Sequence, residues 1–227
     1  MEDSMLGFQV AIDGPAGSGK STISKKVAED MNLIHIDTGA MYRAITYMAI
    51  KEGINLDYEE SYAFIKDITI EYTNDKIYAS GEDVTEKIRS DIVTKNVSKV
   101  SSFPSVRTYL VEIQKASAKG KNVIMDGRDI GTVVLPNADL KIFLTANIEE
   151  RAKRRMRELQ LKGRDIDLTT MIKDIEERDK KDSERKASPL IIPKDAIIVD
   201  TTHYTIEDTV NRIKHEILKK ETYHGRD

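Results

Sequence analysis

The 227-residue sequence contains no cysteine. Disulfides and cysteine-ligated metals are therefore excluded, and the chain suits a reducing compartment. It also lacks any run of about 18 apolar residues, the length a membrane-crossing helix needs. The stretch from Met1 to Asp13 is acidic, and its apolar part is too short for a signal peptide. Neither charge sign dominates: 36 Lys and Arg stand against 39 Asp and Glu, which gives no general attraction to nucleic acid. No coiled-coil seam or long apolar face stands out, so a cytoplasmic monomer is expected. Also missing is the Asn-Lys-x-Asp motif with which a GTPase reads guanine.

What is present is an alternation of short apolar runs with amphipathic stretches, the pattern of an α/β protein. Leu6 to Ile12, Leu33 to Ile36, Asn122 to Met125, Lys141 to Leu144 and Ala196 to Val199 read as buried strands. Lys20 to Met31 reads as a helix, with Ile23, Val27 and Met31 on one face. Thr38 to Ala49 reads as a second. A third carries Ile206, Val210, Ile213 and Ile217 on one side, with Thr205 placed to cap it. The rhythm breaks between Asp67 and Gly81, where two β-rich runs flank Asn74 and Asp75 as in a hairpin. Residues of about 60–105 are taken as an insertion, and Glu221 to Asp227 as a frayed tail.

The strongest local signal is Gly14-Pro15-Ala16-Gly17-Ser18-Gly19-Lys20-Ser21, a P-loop between a strand and a helix. Its glycines let backbone N–H groups turn toward phosphate oxygens, and the helix N-terminus adds a partial positive charge. Lys20 is expected at the β- and γ-phosphates and the Ser21 hydroxyl on Mg²⁺, with Thr22 completing the loop. ATP and Mg²⁺ are the expected cofactors. Asp126 stands where P-loop proteins place a carboxylate near metal-bound water. Asp13 and Asp37, at strand ends, read either as partners of metal-bound water or as turn residues.

A kinase needs a second pocket for an anionic acceptor, and three Arg-bearing motifs supply one: Asp37 to Arg43, Asp126 to Asp129, and Arg178 to Arg185. Arginine suits the task because its planar fork holds phosphate bidentately and keeps its charge. The segments Gly14 to Thr22, Ile36 to Arg43, Phe103 to Arg107, Asp126 to Leu144 and Glu177 to Arg185, followed by Ser188-Pro189-Leu190, resemble those of bacterial cytidylate kinases. The resemblance runs from about Gln9 to Ile217.

The resemblance implies one P-loop kinase domain over 1–227, a three-layer fold with a parallel central sheet and helices on both faces. It implies a monophosphate-binding subdomain inserted at about 60–105 and a lid at about 150–166. It further implies that Arg43 and Arg128 hold the acceptor phosphate, and that Ser98, Arg107 and Asp129 read cytosine. Arg178 and Asp182 are expected at the ribose, Arg185 at sugar or phosphate, and Thr38 and Tyr42 on the pocket wall. The implied reaction converts CMP and dCMP to CDP and dCDP, with Lys20, Arg128, Arg155 and Arg157 acting on the transferring phosphoryl group. A kinase for UMP or AMP, or a nucleotide-regulated switch, are the competing readings.

Seven basic residues fall between Arg151 and Arg164, Lys162 among them. They suit a solvated helix face or a lid that brings Arg151, Arg155 or Arg157 over the phosphoryl group and excludes water. Aromatic residues for base stacking are not interleaved, which argues against a nucleic-acid surface. His35 reads as structural. His203, His215 and His224 lack metal-ligand spacing.

Overall fold

A computed structural model of the chain describes residues 7–73, 75–161 and 163–224, the last four as backbone only. Leu6, Asn74, Lys162 and Gly225 to Asp227, assigned above to the first strand, the hairpin turn, the basic run and the tail, lie outside the described residues.

The central sheet holds β1 (Gln9–Asp13), β2 (Ile34–Asp37), β6 (Val123–Gly127), β7 (Leu140–Thr145) and β8 (Ile197–Asp200). Its order is β2-β6-β1-β7-β8 and every pairing is parallel. Parallel strands need crossovers, and buried strands of this kind are apolar on both faces. The pleat divides the two faces residue by residue. Val10, Ile12, Ile124, Ile142 and Leu144 pack with α1 (Lys20–Met31) and α7 (Ile206–His224). Ala11, Ile36, Val123 and Met125 pack on the other side with α2 (Thr38–Lys51) and α4 (Pro104–Ala118). The result is the expected three-layer arrangement.

The helix ends follow local chemistry. Asp37 caps α2 by accepting from the Ala40 N–H at 3.1 Å, and Asn32 ends α1 in a left-handed conformation at φ 53°. The Thr205 hydroxyl accepts from the Asp208 N–H at 3.1 Å at the start of α7, as expected of a cap. That helix continues through His224, further than the composition of the tail suggested.

The insertion begins with a 3-10 stretch, Glu59–Asp67, and continues as an antiparallel sheet of β3 (Ile70–Thr73), β4 (Lys76–Ala79) and β5 (Glu82–Asp83). Helix α3 (Asp91–Val100) follows, with Val93, Val97 and Val100 buried. Both α3 and β4 pack on α2, and Ile70, Ile77, Ala79 and Val97 join the same core as Met41 and Ile45. Past β7, α5 (Ile148–Gln160) and α6 (Leu168–Glu184) lie against each other around a small core of Ala152, Leu159, Met171 and Ile175. No described helix is long and apolar enough to cross a membrane.

Candidate active site

Parallel strands deliver their C-terminal ends to one edge of the sheet, where ligands of such folds bind. The P-loop leaves β1 there, Asp37 ends β2, and Asp126 lies near the end of β6. A cavity of about 860 Å³ opens over this edge. Gly17, Gly19, Lys20, Ser21 and Thr22 line its donor end. Gly14 must be glycine: its φ is 153°, and a Cβ there would sit 2.0 Å from the Leu144 carbonyl oxygen of β7. The loop is thus pressed against the neighbouring strand.

Lys20 is buried, with Nζ donating to the Pro15 carbonyl at 2.7 Å and lying 3.2 Å from Ser18 Oγ. Burial, then the Arg128 guanidinium, push its ammonium well below the ordinary lysine range. The Ser21 hydroxyl donates to Asp126 Oδ2 at 2.7 Å, which leaves its lone pairs available on the side away from the carboxylate. His35 Nε2 lies 2.8 Å from the other oxygen of Asp126. Burial works against a charged His35, but the Asp126 hydrogen bond and charge outweigh it and raise its pKa. Thr38, buried, donates to the Asp126 carbonyl at 2.8 Å and faces the strand rather than the cavity.

Ser21 and Asp126 fit Mg²⁺. They are hard oxygen donors on the cavity wall beside Lys20. Among the described residues no three His, Asp or Glu side chains converge into a metal cage. A cation here needs phosphate and water oxygens to complete its shell, as Mg²⁺ characteristically does.

Asp37 and Asp13 differ in role. Burial, then the nearby Asp126, raise the Asp37 carboxyl to about 6 while it caps α2. Asp13 accepts the N–H groups of Ile130 and Gly131, each at 2.8 Å, and burial raises it to about 6. It is neither a turn residue nor a cavity residue. It fixes the turn that carries Asp129.

The opposite end of the cavity is crowded with cations. Arg43, Arg128, Arg155 and Arg178 line the cavity. Arg43 donates to Thr94 Oγ1 at 2.9 Å, and burial followed by the charge of Arg155 lowers its pKa to about 10. Arg178 is likewise lowered to about 10, by burial and then Arg128, and its buried Nε has no hydrogen-bond partner. Arg128 donates to Asp182 at 2.9 Å; burial opposes its charge, but Asp182 more than compensates and raises its pKa. Arg43 and Arg178 therefore face the cavity with charges that burial and neighbouring guanidinium groups disfavour, a setting an anion such as phosphate would relieve.

Arg107 and Asp129 are brought together, ion-paired and 3 % exposed each. Arg107 also donates to the Ser101 carbonyl at 3.0 Å and stands 5.1 Å over the Tyr42 ring. Arg185 lies 4.0 Å from Asp129 and 3.6 Å from Asp182, and donates through Nε to the Ser188 carbonyl at 2.7 Å. This group, with Tyr42, is buried behind the cavity wall rather than on it. Ser98 is on the wall, its buried hydroxyl unpartnered.

The basic run of α5 divides by helical face. Arg155 lines the cavity and pairs with Glu158 at 2.6 Å, whereas Arg157 is exposed and off the cavity wall. Arg151 is a strut. It donates to the Ala16 carbonyl at 3.1 Å and the Ala146 carbonyl at 3.0 Å, and pairs with Asp179. Asp179 in turn accepts the Ala16 N–H at 3.2 Å. Arg154 holds the next turn of the loop through the Ser18 carbonyl at 3.3 Å and Thr201 at 2.7 and 2.9 Å. The sequence reading missed Asp179 and Arg154. Their signal was available in part, since residues three apart on a helix share a face.

A P-loop with a buried lysine, facing uncompensated arginines across one cavity, defines a P-loop kinase, a phosphotransferase. A family model described as cytidylate kinase matches residues 10–219. The cytidylate kinase of Acholeplasma laidlawii (strain PG-8A) is 55% identical over 209 residues, 92% of this chain and 94% of that protein. That of Caldanaerobacter subterraneus subsp. tengcongensis is 49% identical over 220 residues, 96% of this chain and 97% of that protein. The chain belongs to the cytidylate kinase family. A crystal structure of an uncharacterized protein from Eubacterium ventriosum ATCC 27560 shares the fold, with TM-score 0.50 and 15% identity over 92% of this chain and 98% of that one.

Proposed function

We propose that the chain transfers the γ-phosphoryl group of ATP to CMP and dCMP, releasing ADP with CDP or dCDP. The carrying observation is the pairing, across one cavity, of a P-loop with Arg43 and Arg178, whose charges the protein leaves partly uncompensated, and with Arg128, held beside them by Asp182. A phosphate oxygen of the acceptor attacks the γ-phosphorus as the bond to the β-phosphate oxygen breaks. Such transfer asks chiefly for alignment and charge neutralisation, so no general base is assigned.

In this reading the P-loop amides and Lys20 hold the donor phosphates, and Arg43 and Arg128 hold the acceptor phosphate. Ser21 and Asp126 would hold Mg²⁺, which would supply neutralisation of the charge on the donor phosphates. Arg155 and Arg157 belong to a lid over 150–166, and the insertion over 60–105 is the acceptor-binding subdomain. Asp129 accepts from the cytosine amine and Arg107 donates to the ring, with Ser98 at the threshold between cavity and pair. Uracil presents the opposite pattern on that edge, and each buried polar group left unpaired costs about 1–3 kcal/mol. Asp182, Arg178 and Arg185 address the ribose, and Tyr42 and Thr38 brace the wall behind. The protein acts as a monomer on small nucleotides, in the cytoplasm.

Coupled ADP release, with no acceptor and with CMP, dCMP, UMP, AMP or GMP, tests the reading. Turnover confined to CMP and dCMP is expected. Turnover with UMP or AMP would sink the base assignment alone. Equal ADP release without any acceptor would sink the kinase reading itself.

A further inference from the structure

His35 sits in β2 with each ring nitrogen facing a carboxylate. Nε2 is 2.8 Å from Asp126 Oδ1 and Nδ1 is 3.4 Å from Asp75 Oδ1. The two carboxylates come from different parts of the molecule: Asp126 lies near the end of β6 in the parallel sheet, while Asp75 lies in the β3–β4 turn of the insertion. Asp75 is itself anchored, through its other oxygen, to Lys25 at 2.7 Å. Lys25 stands one helical turn beyond Ser21 on α1. Tyr72 of the same hairpin closes the arrangement, edge-on to His35 at 6.3 Å between ring centres and 3.4 Å from Asp75.

The chain of contacts has a direction. Ser21, with its hydrogen on Asp126 Oδ2, is held with its lone pairs turned toward the cavity side where a cation would sit. That direction is fixed by the rotation of the Asp126 carboxylate, and His35 is the side chain that holds its other oxygen. Groups that orient a ligand through one intermediate typically change metal affinity by about 10–100-fold when removed.

We propose that His35 is a positioning residue for the cation site, pinned by Asp75 at the hairpin tip. The insertion on the acceptor side then sets the orientation of the Asp126–Ser21 pair on the donor side. This rests on the assignment of Ser21 and Asp126 to Mg²⁺.

The test is Mn²⁺ binding to the ADP complex, read by the EPR signal of free Mn²⁺, in the parent and in Asp126→Asn, His35→Leu, His35→Gln and Asp75→Ala. Metal-free CMP affinity is measured beside it as a control for general damage to the insertion. His35→Leu is expected to weaken Mn²⁺ binding by about tenfold, and His35→Gln, which keeps a donor, to recover most of it. Asp75→Ala is expected to cost about two- to fivefold, as a half-exposed ion pair does, and to add nothing in the His35→Leu background. Metal-free CMP affinity should stay within about twofold in the His35 and Asp75 variants. Asp75 lies in an exposed turn, so its variant keeps the test open even if His35→Leu does not fold. Loss of Mn²⁺ in Asp126→Asn with parent-like affinity in the His35 and Asp75 variants overturns the proposal alone. Parent-like affinity in Asp126→Asn overturns the cation-site assignment and the proposal with it.

Discussion

Replacing Arg151 with Met separates two jobs that an arginine in this basic run could hold. Its stem still packs, but three polar contacts go: those to the Ala16 carbonyl, the Ala146 carbonyl and Asp179. Removing one partner of a buried pair costs about 3–5 kcal/mol, because the other is left charged and unpaired. Asp179 keeps 21% of its side chain exposed, so solvent screens part of that cost. About 3 kcal/mol of lost stability is the expected value. Asp179→Ala removes the second half of the clasp on Ala16. The double variant should then show a coupling of about 2 kcal/mol, within the range for residues in direct contact. Urea unfolding gives these numbers, and steady-state kinetics gives the second half of the argument. Because the clasp shapes the donor loop, the KM for ATP should rise about tenfold while the KM for CMP hardly moves. If Arg151 instead reached over the transferring phosphoryl group, kcat would collapse with unfolding unchanged. That pattern, or a coupling under about 0.5 kcal/mol, refutes the strut.

Further consequences can be measured separately. Asp13 is raised from 3.8 to about 6. Protonated it favours the fold, and this contribution is complete below the unfolded value and lost as pH rises through about 6. At about 1.36 kcal/mol per pH unit the displacement amounts to roughly 3 kcal/mol, so Asp13→Asn should gain about that much relative to the parent between pH 4 and pH 7. A stability difference independent of pH refutes it. Asp129→Asn strands the Arg107 charge in the interior and should cost about 3–5 kcal/mol in urea unfolding. Arg107→Met combined with Asp129→Leu should regain most of this and still fail to turn over CMP; recovery of CMP turnover would remove the pair from base recognition. Gly14→Ala drives a methyl group into the Leu144 carbonyl, and thermal unfolding should show a loss of more than about 2 kcal/mol. An unchanged melting temperature would contradict the close approach of loop and strand.

Much of this layout is legible in the sequence because its signals are local. A P-loop needs its glycines, lysine and serine consecutively, and the apolar runs around it alternate as buried strands do. Arg43, Arg128 and Arg178 likewise come inside short motifs at strand ends or on a late helix. Helix α3 is not among the expected elements although Val93, Val97 and Val100 recur at helical spacing, because beyond the hairpin the stretch to about 105 is read only as an insertion. α4 carries the same signal in Val106, Leu110, Gln114 and Ala118, with Pro104 at its first position. Arg151 reads as a lid candidate and Arg154 as one more charge of the basic run; only the fold shows that both point at backbone carbonyls. His35 and Asp75 are 40 residues apart, and Asp13 and Ile130 are 117 apart, so no local pattern announces either contact.

Asp13 and Gly14 are consecutive, yet one fixes the turn bearing Asp129 and the other opens the donor loop. The spacing between the P-loop and the turn bearing Asp129 is therefore set along a single strand, by the register of β1 against β6 and β7. For anyone wishing to retarget the enzyme to another base, that strand marks the cut. Helix α4, the insertion and the 129–134 turn can be exchanged as a cassette, provided the incoming turn still offers two amides to Asp13. A cassette that fails to dock on that carboxylate would bind its new base well and hold it out of line with the phosphoryl group it is meant to receive.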